Sequence, residues 1–309
     1  MQTLLTMLVA VFSLLLPIKS SSADGFPELK KVSDNIYAIV GELGNRSPEN
    51  LGNNATFGFV VTQQGVVLID SGASWKGAAK IHELIKSVTD KPVSIVINTG
   101  GQDHRWLGNG YFNEHGARII ANQRAVADQK ARVQAQVMML KNLVGAEGME
   151  GTTPVYAGES FDKDLRLEFG GTIFELHHVG QAHTPGDSFV WLPQQQVVFS
   201  GDIVYMERIL GVNSDSNSMK WLAAYEALAA HHPATVVPGH GHPASLANAE
   251  ADTHAYLLFL RKNVQTYMAA GGDATGVGAI DQSRFKHLLN FETLAGKNAL
   301  QVFNEMEWE

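Results

Sequence analysis

The 309-residue chain contains no cysteine. Disulfides, thiolate zinc ligands and a cysteine nucleophile are therefore excluded, an absence compatible with an oxidising compartment. Positive charge is also scarce: 23 Lys and Arg stand against 31 Asp and Glu, for a formal net charge of −8. The basic residues form no stripe or block, which argues against a nucleic-acid partner. Long apolar runs are confined to the N-terminus, and nothing downstream offers a membrane span.

That N-terminus reads MQTLLTMLVAVFSLLLPIKSSSADG. The apolar run Leu4 to Leu16, then Pro17 and a Ser21-x-Ala23 pattern, predicts a signal peptide over 1–23 and a mature chain from about Asp24. A periplasmic or secreted protein is expected, with an uncleaved anchor as the alternative. The mature chain is long enough for one large domain with a substantial core.

FGFVVTQQGVVLIDSG alternates β-branched and aromatic runs around a QQG turn, predicting a hairpin that ends at Asp70. A helix should come after it, with Ile81, Leu84, Ile85 and Val88 on one face and Ser74 as N-cap. PVSIVINTG and ARIIANQ read as strands, and 123–144 as a helix. EGMEGTTP breaks the pattern, so 145–160 is expected to be a mobile connection. GTIFELHHV and the hairpin DSFVWLPQQQVVFSGD come next, then the helix MKWLAAYEALAAHHP and the strand ATVVPGHGHP. Helices over 246–270 and through GKNALQVFNEMEW close the chain. Hairpins followed by helices in both halves predict two packed sheets with helices outside.

Polar residues gather in glycine-rich loops where strands end: Asp70-Ser71-Gly72, GGQDH, GQAHTPGD, SGD and PGHGH. Taken singly these are ordinary caps and turns. Taken together, His104, His183, Asp202 and His240 supply three imidazoles and a carboxylate, a set that suits zinc and equally suits iron. Asp70 is read as a structural brace of the loop rim. His177 and His178 fall within a strand, and His231 and His232 end a helix at the surface.

The ordered pieces VVLIDSG, VINTGGQDHRWLGN, GQAHTPGDSFVWLP, VVFSGDIV and VVPGHG resemble the metallo-β-lactamase superfamily, over roughly residues 30 to 245. The C-terminal helices are similar to those of its exported quinoprotein- and sulfur-metabolism-associated members. The resemblance implies an α/β fold, a four-layer αβ/βα sandwich. Residues 24–245 would form the metallo-β-lactamase-like domain, with 246–309 a helical extension packed on it. It also puts the family's third histidine on His183, its bridging aspartate on Asp202 and its last histidine on His240.

The departure lies in VINTGGQDHRWLGN, where the family pattern is N-T-H-x-H-x-D-H. Laid without gaps, Gly100 and Gln102 replace the first two histidines, His104 the aspartate and Arg105 the last histidine. A one-residue slip instead makes Asp103-His104 the Asp-His pair. Both registers put His104 in the site. One metal is then expected rather than two, held by His104, His183, Asp202 and His240, with Asp103 as a further ligand.

The expected activity is hydrolysis of a carbonyl, ester or thioester in a small molecule by metal-activated water. Asp103 and His104 are the catalytic candidates, with Gln102 and Arg105 facing substrate. One zinc is the expected cofactor, iron the alternative. Competing readings are a metal-free binding protein and a mononuclear-iron sulfur oxygenase; β-lactamase activity rests on fold alone. Loops 41–58 and 205–218 are expected to flank the pocket.

Overall fold

A computed structural model describes residues 27–309; the stretch 1–23, expected to be a signal peptide, lies outside the described residues. Twelve strands are described: β1 Glu28–Ser33, β2 Ile36–Val40, β3 Thr56–Val61, β4 Val66–Ile69, β5 Val93–Asn98, β6 Arg118–Asn122, β7 Glu159–Phe161, β8 Asp164–Phe169, β9 Thr172–His177, β10 Phe189–Leu192, β11 Val197–Phe199 and β12 Thr235–Val237. They form a seven-stranded sheet in the order β1 to β7 and a five-stranded sheet in the order β12-β11-β10-β9-β8. The first sheet is antiparallel from β1 to β4 and parallel from β4 to β7. In the second, only the β11–β12 pair is parallel.

Both sheets are covered on both faces, which explains the unbroken apolar runs VVLI and VVF. Between them lie Val67, Ile95 and Ile97 against Phe174, Leu176, Val190 and Phe199. The outer face of the first sheet packs Phe57, Leu68 and Val96 on Ile81 and Ile85 of the helix Trp75–Lys86. Beyond the second sheet, Val198 and Val236 meet Trp221 and Tyr225 of the helix Ser218–Ala229. The same cluster takes in Leu257, Leu260 and Val264 of the helix Ala255–Ala269, and Val302 and Phe303 of the helix Phe291–Met306. Each such side chain contributes about 1.5–3 kcal/mol when fully buried. The result is the expected four-layer sandwich, with the C-terminal helices sharing one core with the second sheet.

Local signals act as expected. Ser74 caps its helix by accepting from the Gly77 amide, and Gly271 takes positive φ just past the helix Ala255–Ala269. Two expectations fail. The stretch 145–160 is pinned rather than mobile: Thr152 Oγ1 accepts from the Trp75 amide at 2.9 Å, the Val155 carbonyl from Asn109 at 2.9 Å, and Met149 is buried. The helix expected over 246–270 is interrupted by a π-helical turn at Glu250–His254, for which Thr253 supplies a reason below. Strands β1, β2, β7 and β8 had no clear signal in the sequence. Among the described residues no helix is long and apolar enough to cross a membrane.

Candidate metal centre

The parallel pairs β4–β5 and β11–β12 end on one rim, and the loops leaving them carry the polar residues. Ligand sites form beyond the carboxyl ends of parallel strands because the backbone turns away there and leaves a crevice. Asp70 follows β4, with φ of 66°, a left-handed conformation that Asp tolerates. Its carboxylate accepts from the Thr99 amide at 2.7 Å and the Thr99 hydroxyl at 2.8 Å. The loop after β4 is thereby tied to the loop after β5.

After β5, Asp103–Trp106 forms one helical turn. It points His104 Nε2 at Asp202 Oδ2 at 3.2 Å and Arg105 Nη2 at Asp202 Oδ1 at 2.6 Å. The pair that reaches Asp202 is therefore His104-Arg105, as the ungapped register requires, and not Asp103-His104. Asp202 sits in the short 3₁₀ turn Gly201–Ile203 after β11, and His240 follows β12. Donor atoms of His104, Asp202 and His240 all lie within 4.8 Å of one another.

His183 stands outside that close group but lines the same cavity of about 350 Å³. Burial pushes its pKa down to about 4, which keeps the imidazole neutral. Its Nδ1 lies 2.9 Å from the Gly211 carbonyl and donates to it, leaving the Nε2 lone pair free. His240 is held in the same way, with Nδ1 donating to the Asn54 carbonyl at 2.9 Å. Burial likewise holds His240 well below the usual imidazole range. A backbone carbonyl on one ring nitrogen fixes the tautomer and presents the other nitrogen as a ligand.

Whether these residues fit a cation can be judged at His240. Its unprotonated Nε2 faces Asp202 Oδ1 at 3.3 Å, so two acceptors oppose each other. A cation between them would convert that repulsion into coordination. Two imidazoles and a carboxylate, with His183 on the adjoining wall, match the donor chemistry of a zinc site. The residues present fit one ion.

Asp103 and Arg105 are placed differently from what the sequence suggested. Asp103 is fully buried and accepts from Arg46 Nη2 at 2.5 Å and from the His104 amide at 2.7 Å. Burial raises its pKa, but Arg46 and His104 outweigh that and hold it well below the usual carboxylate range. It stands outside the close group of His104, Asp202 and His240, with Oδ1 3.2 Å from His104 Nδ1 and Oδ2 buried without a partner, a placement suited to orienting His104. Arg105, expected to meet substrate, is fully buried behind the site. It donates to the Thr56 and Gly239 carbonyls and to both Asp70 and Asp202. A Cβ at Gly239 would collide with the Gly201 carbonyl and crowd that guanidinium.

The missing histidine side chain at position 100 has left no empty space. A Cβ on Gly100 would collide with Asp187 Oδ1, whose carboxyl also bonds the Thr184 amide at 2.8 Å. Gln129 and Gln136 donate to the Gly100 and Gly101 carbonyls at 3.1 and 2.9 Å. Gln102 lines the cavity, with Oε1 at 3.5 Å from Arg132.

The loops expected to flank the pocket, 41–58 and 205–218, do supply wall residues, whereas Leu294 and Lys297 went unassigned in the sequence. Arg46 and Asn54 come from the loop after β2, Tyr205 and Arg208 from the loop after β11, and Leu294 and Lys297 from the helix Phe291–Met306. Tyr205 stacks on His240, with ring centroids 4.5 Å apart. Thr253, in the π-helical turn, accepts from the Tyr205 amide at 2.9 Å and donates to its carbonyl at 2.6 Å. The turn carries one residue into register with the site loop, as such bulges commonly do.

A family profile described as the metallo-beta-lactamase superfamily matches residues 52–240. Metallo-beta-lactamase type 2 of Bacillus cereus is 27% identical over 222 residues, covering 70% of this chain and 77% of the lactamase. Metallo-beta-lactamase IND-1 of Chryseobacterium indologenes is 24% identical over 233 residues, covering 74% and 87%. Among solved structures, a metallo-beta-lactamase from Pontibacter korlensis superposes with a TM-score of 0.61 at 20% identity, covering 75% of this chain and 99% of that one. The stereoselective inverting sec-alkylsulfatase Pisa1 from Pseudomonas sp. gives a TM-score of 0.70 at 16% identity over 90% of this chain, which spans half of the sulfatase. Fold, the order of the loop motifs and the matched span agree: the chain belongs to the metallo-β-lactamase superfamily.

Proposed function

We propose that this protein is an exported metal-dependent hydrolase that holds a single zinc ion between His104, Asp202 and His240, with His183 on the cavity wall. Its substrate is a small molecule with a carbonyl, ester or thioester centre. The observation that carries this reading is the convergence of those three donors, two of which, His104 and His240, line a cavity with His183, with the His240 and His183 tautomers set by backbone carbonyls. A divalent ion held there supplies Lewis acidity and nucleophile activation at neutral pH.

The chain's own residues prepare the site. With Arg46 donating to His104 Nδ1 at 3.0 Å, the His104 proton sits on Nε2, toward Asp202. Were His104 to serve as a ligand through Nε2, Asp103 Oδ1, 3.2 Å from Nδ1, would hold the ring in place. Tyr205 covers one face of His240 and keeps water from it. Gln102 and Asn54 offer neutral hydrogen-bonding groups to substrate. At position 100, Asp187 fills the space that a second set of imidazoles would need, in keeping with one ion.

A metal-free binding protein is the second reading, and Arg105 favours it. Its guanidinium already offsets the charge of Asp202, which weakens the attraction of that carboxylate for a cation. Zinc content of protein purified without chelators separates the two. The hydrolase reading expects one zinc per chain after supplementation and its loss in His240→Ala. Substoichiometric zinc in the supplemented protein supports the binding protein.

A further inference from the structure

The cavity above the metal centre carries cations and no carboxylates. Arg46, Arg208 and Lys297 line it, whereas no Asp or Glu does among the described residues, in a chain whose net charge is −8. Arg46 is engaged by Asp103 and His104. Arg208 and Lys297 have no carboxylate partner among the described residues.

Arg208 is the more telling of the two. Its Nη1 donates to the Gly44 carbonyl at 3.2 Å, but its Nε is buried with no partner. Leaving a guanidinium N–H buried and unpaired is costly. Burial disfavours the charged form most; Tyr205 and Asp202 favour it, and the like charge of Arg46 opposes it. An anion arriving in the cavity would satisfy the orphan N–H and relieve that repulsion together. Lys297 reaches the same space from the exposed side of the helix Phe291–Met306. Val212, Leu294 and Tyr205 line the same cavity and supply its apolar surface. Leu294 and Lys297 lie outside the matched family span 52–240, so this part of the pocket belongs to the C-terminal extension.

We infer that the substrate is a small amphiphilic anion, its carboxylate, sulfate or phosphate group seated between Arg208 and Lys297 and its apolar body against Leu294 and Val212. This rests on the hydrolase reading for what happens at the metal, but not for the binding of the anion itself. Arg208 and Lys297 are then specificity residues, and the C-terminal helix is part of the recognition site.

Calorimetric titration of the full chain, with and without zinc, tests this with hexanoate, hexyl sulfate, hexyl phosphate and uncharged hexanamide. At least one anion should bind about tenfold or more tightly than hexanamide, as a charge-assisted hydrogen bond requires. The preferred headgroup identifies which anion the site takes. Arg208→Met should weaken that anion about tenfold, and Lys297→Glu, an exposed substitution that leaves the fold intact, should do the same. Hexanamide binding as well as the anions, or anion affinity unchanged in Lys297→Glu and in a folded Arg208→Met, overturns the inference. Zinc bound stoichiometrically without anion preference sinks this inference alone. Anion preference without zinc binding sinks the hydrolase reading alone.

Discussion

Replacing Arg105 with Met probes the electrostatic frame of the site. The guanidinium is fully buried and makes four hydrogen bonds: 2.6 Å to Asp202, 2.9 Å to Asp70, and 2.8 and 3.0 Å to the Gly239 and Thr56 carbonyls. Met fills a similar volume, so the change removes charge without opening a large cavity. It leaves two buried carboxylates facing each other with no compensating charge. Removing one partner of a buried ion pair costs about 3–5 kcal/mol. For a domain of this size that lowers Tm by on the order of 10 °C. Protonation of Asp70, whose pKa burial already raises, limits the loss.

The same change frees Asp202 for a cation. Zinc should therefore stabilise Arg105→Met more than the parent, since a ligand stabilises in proportion to its affinity for the folded state. Urea unfolding followed by tryptophan fluorescence, in EDTA and in excess zinc, gives both quantities. A loss in EDTA of less than about 1 kcal/mol, the value of an exposed pair, would refute the claim that Arg105 is the frame. An equal zinc increment in both proteins would refute the competition between Arg105 and the ion.

Restoring the family's histidines, Gly100→His with Gln102→His, should not create a second metal site. Asp187 fills the space at position 100, so zinc stoichiometry by elemental analysis should stay at one while stability falls; two zincs per chain would contradict the filled space. Thr253→Val removes both hydrogen bonds to the Tyr205 backbone. It should cost about 1–3 kcal/mol of stability and, through the stacked Tyr205–His240 pair, weaken zinc binding. Zinc affinity unchanged by calorimetry would show that the π-helical turn does not position the site.

How much of the fold and site was legible in the sequence depends on the range of each cause. Caps, turns and unbroken apolar strands are local, so Ser74, the QQG and PQQQ hairpins and the VVLI strand declared themselves. Strand β1, ELKKVS, is an edge strand with half-exposed, charged positions, and its alternation is too weak to stand out. The loop motifs identified Asp202 and His240 because the family order is preserved there. The role of Arg105 was hidden because its partners lie 35, 49, 97 and 134 residues away, and no spacing rule joins them. The loop carrying Arg208 was expected at the pocket, but Lys297 was silent, since only the packing of the C-terminal helix on the second sheet brings it to the same cavity. The expected mobility at 145–160 failed because glycine-rich composition does not reveal that Thr152 and Val155 are hydrogen-bonded from neighbouring elements.

Crystals grown in zinc, with data collected on either side of its absorption edge, test the central claim most directly. One anomalous peak per chain is predicted, within bonding distance of His104 Nε2, Asp202 and His240 Nε2. A peak elsewhere, or none while His104 and Asp202 keep their direct 3.2 Å contact, would contradict it.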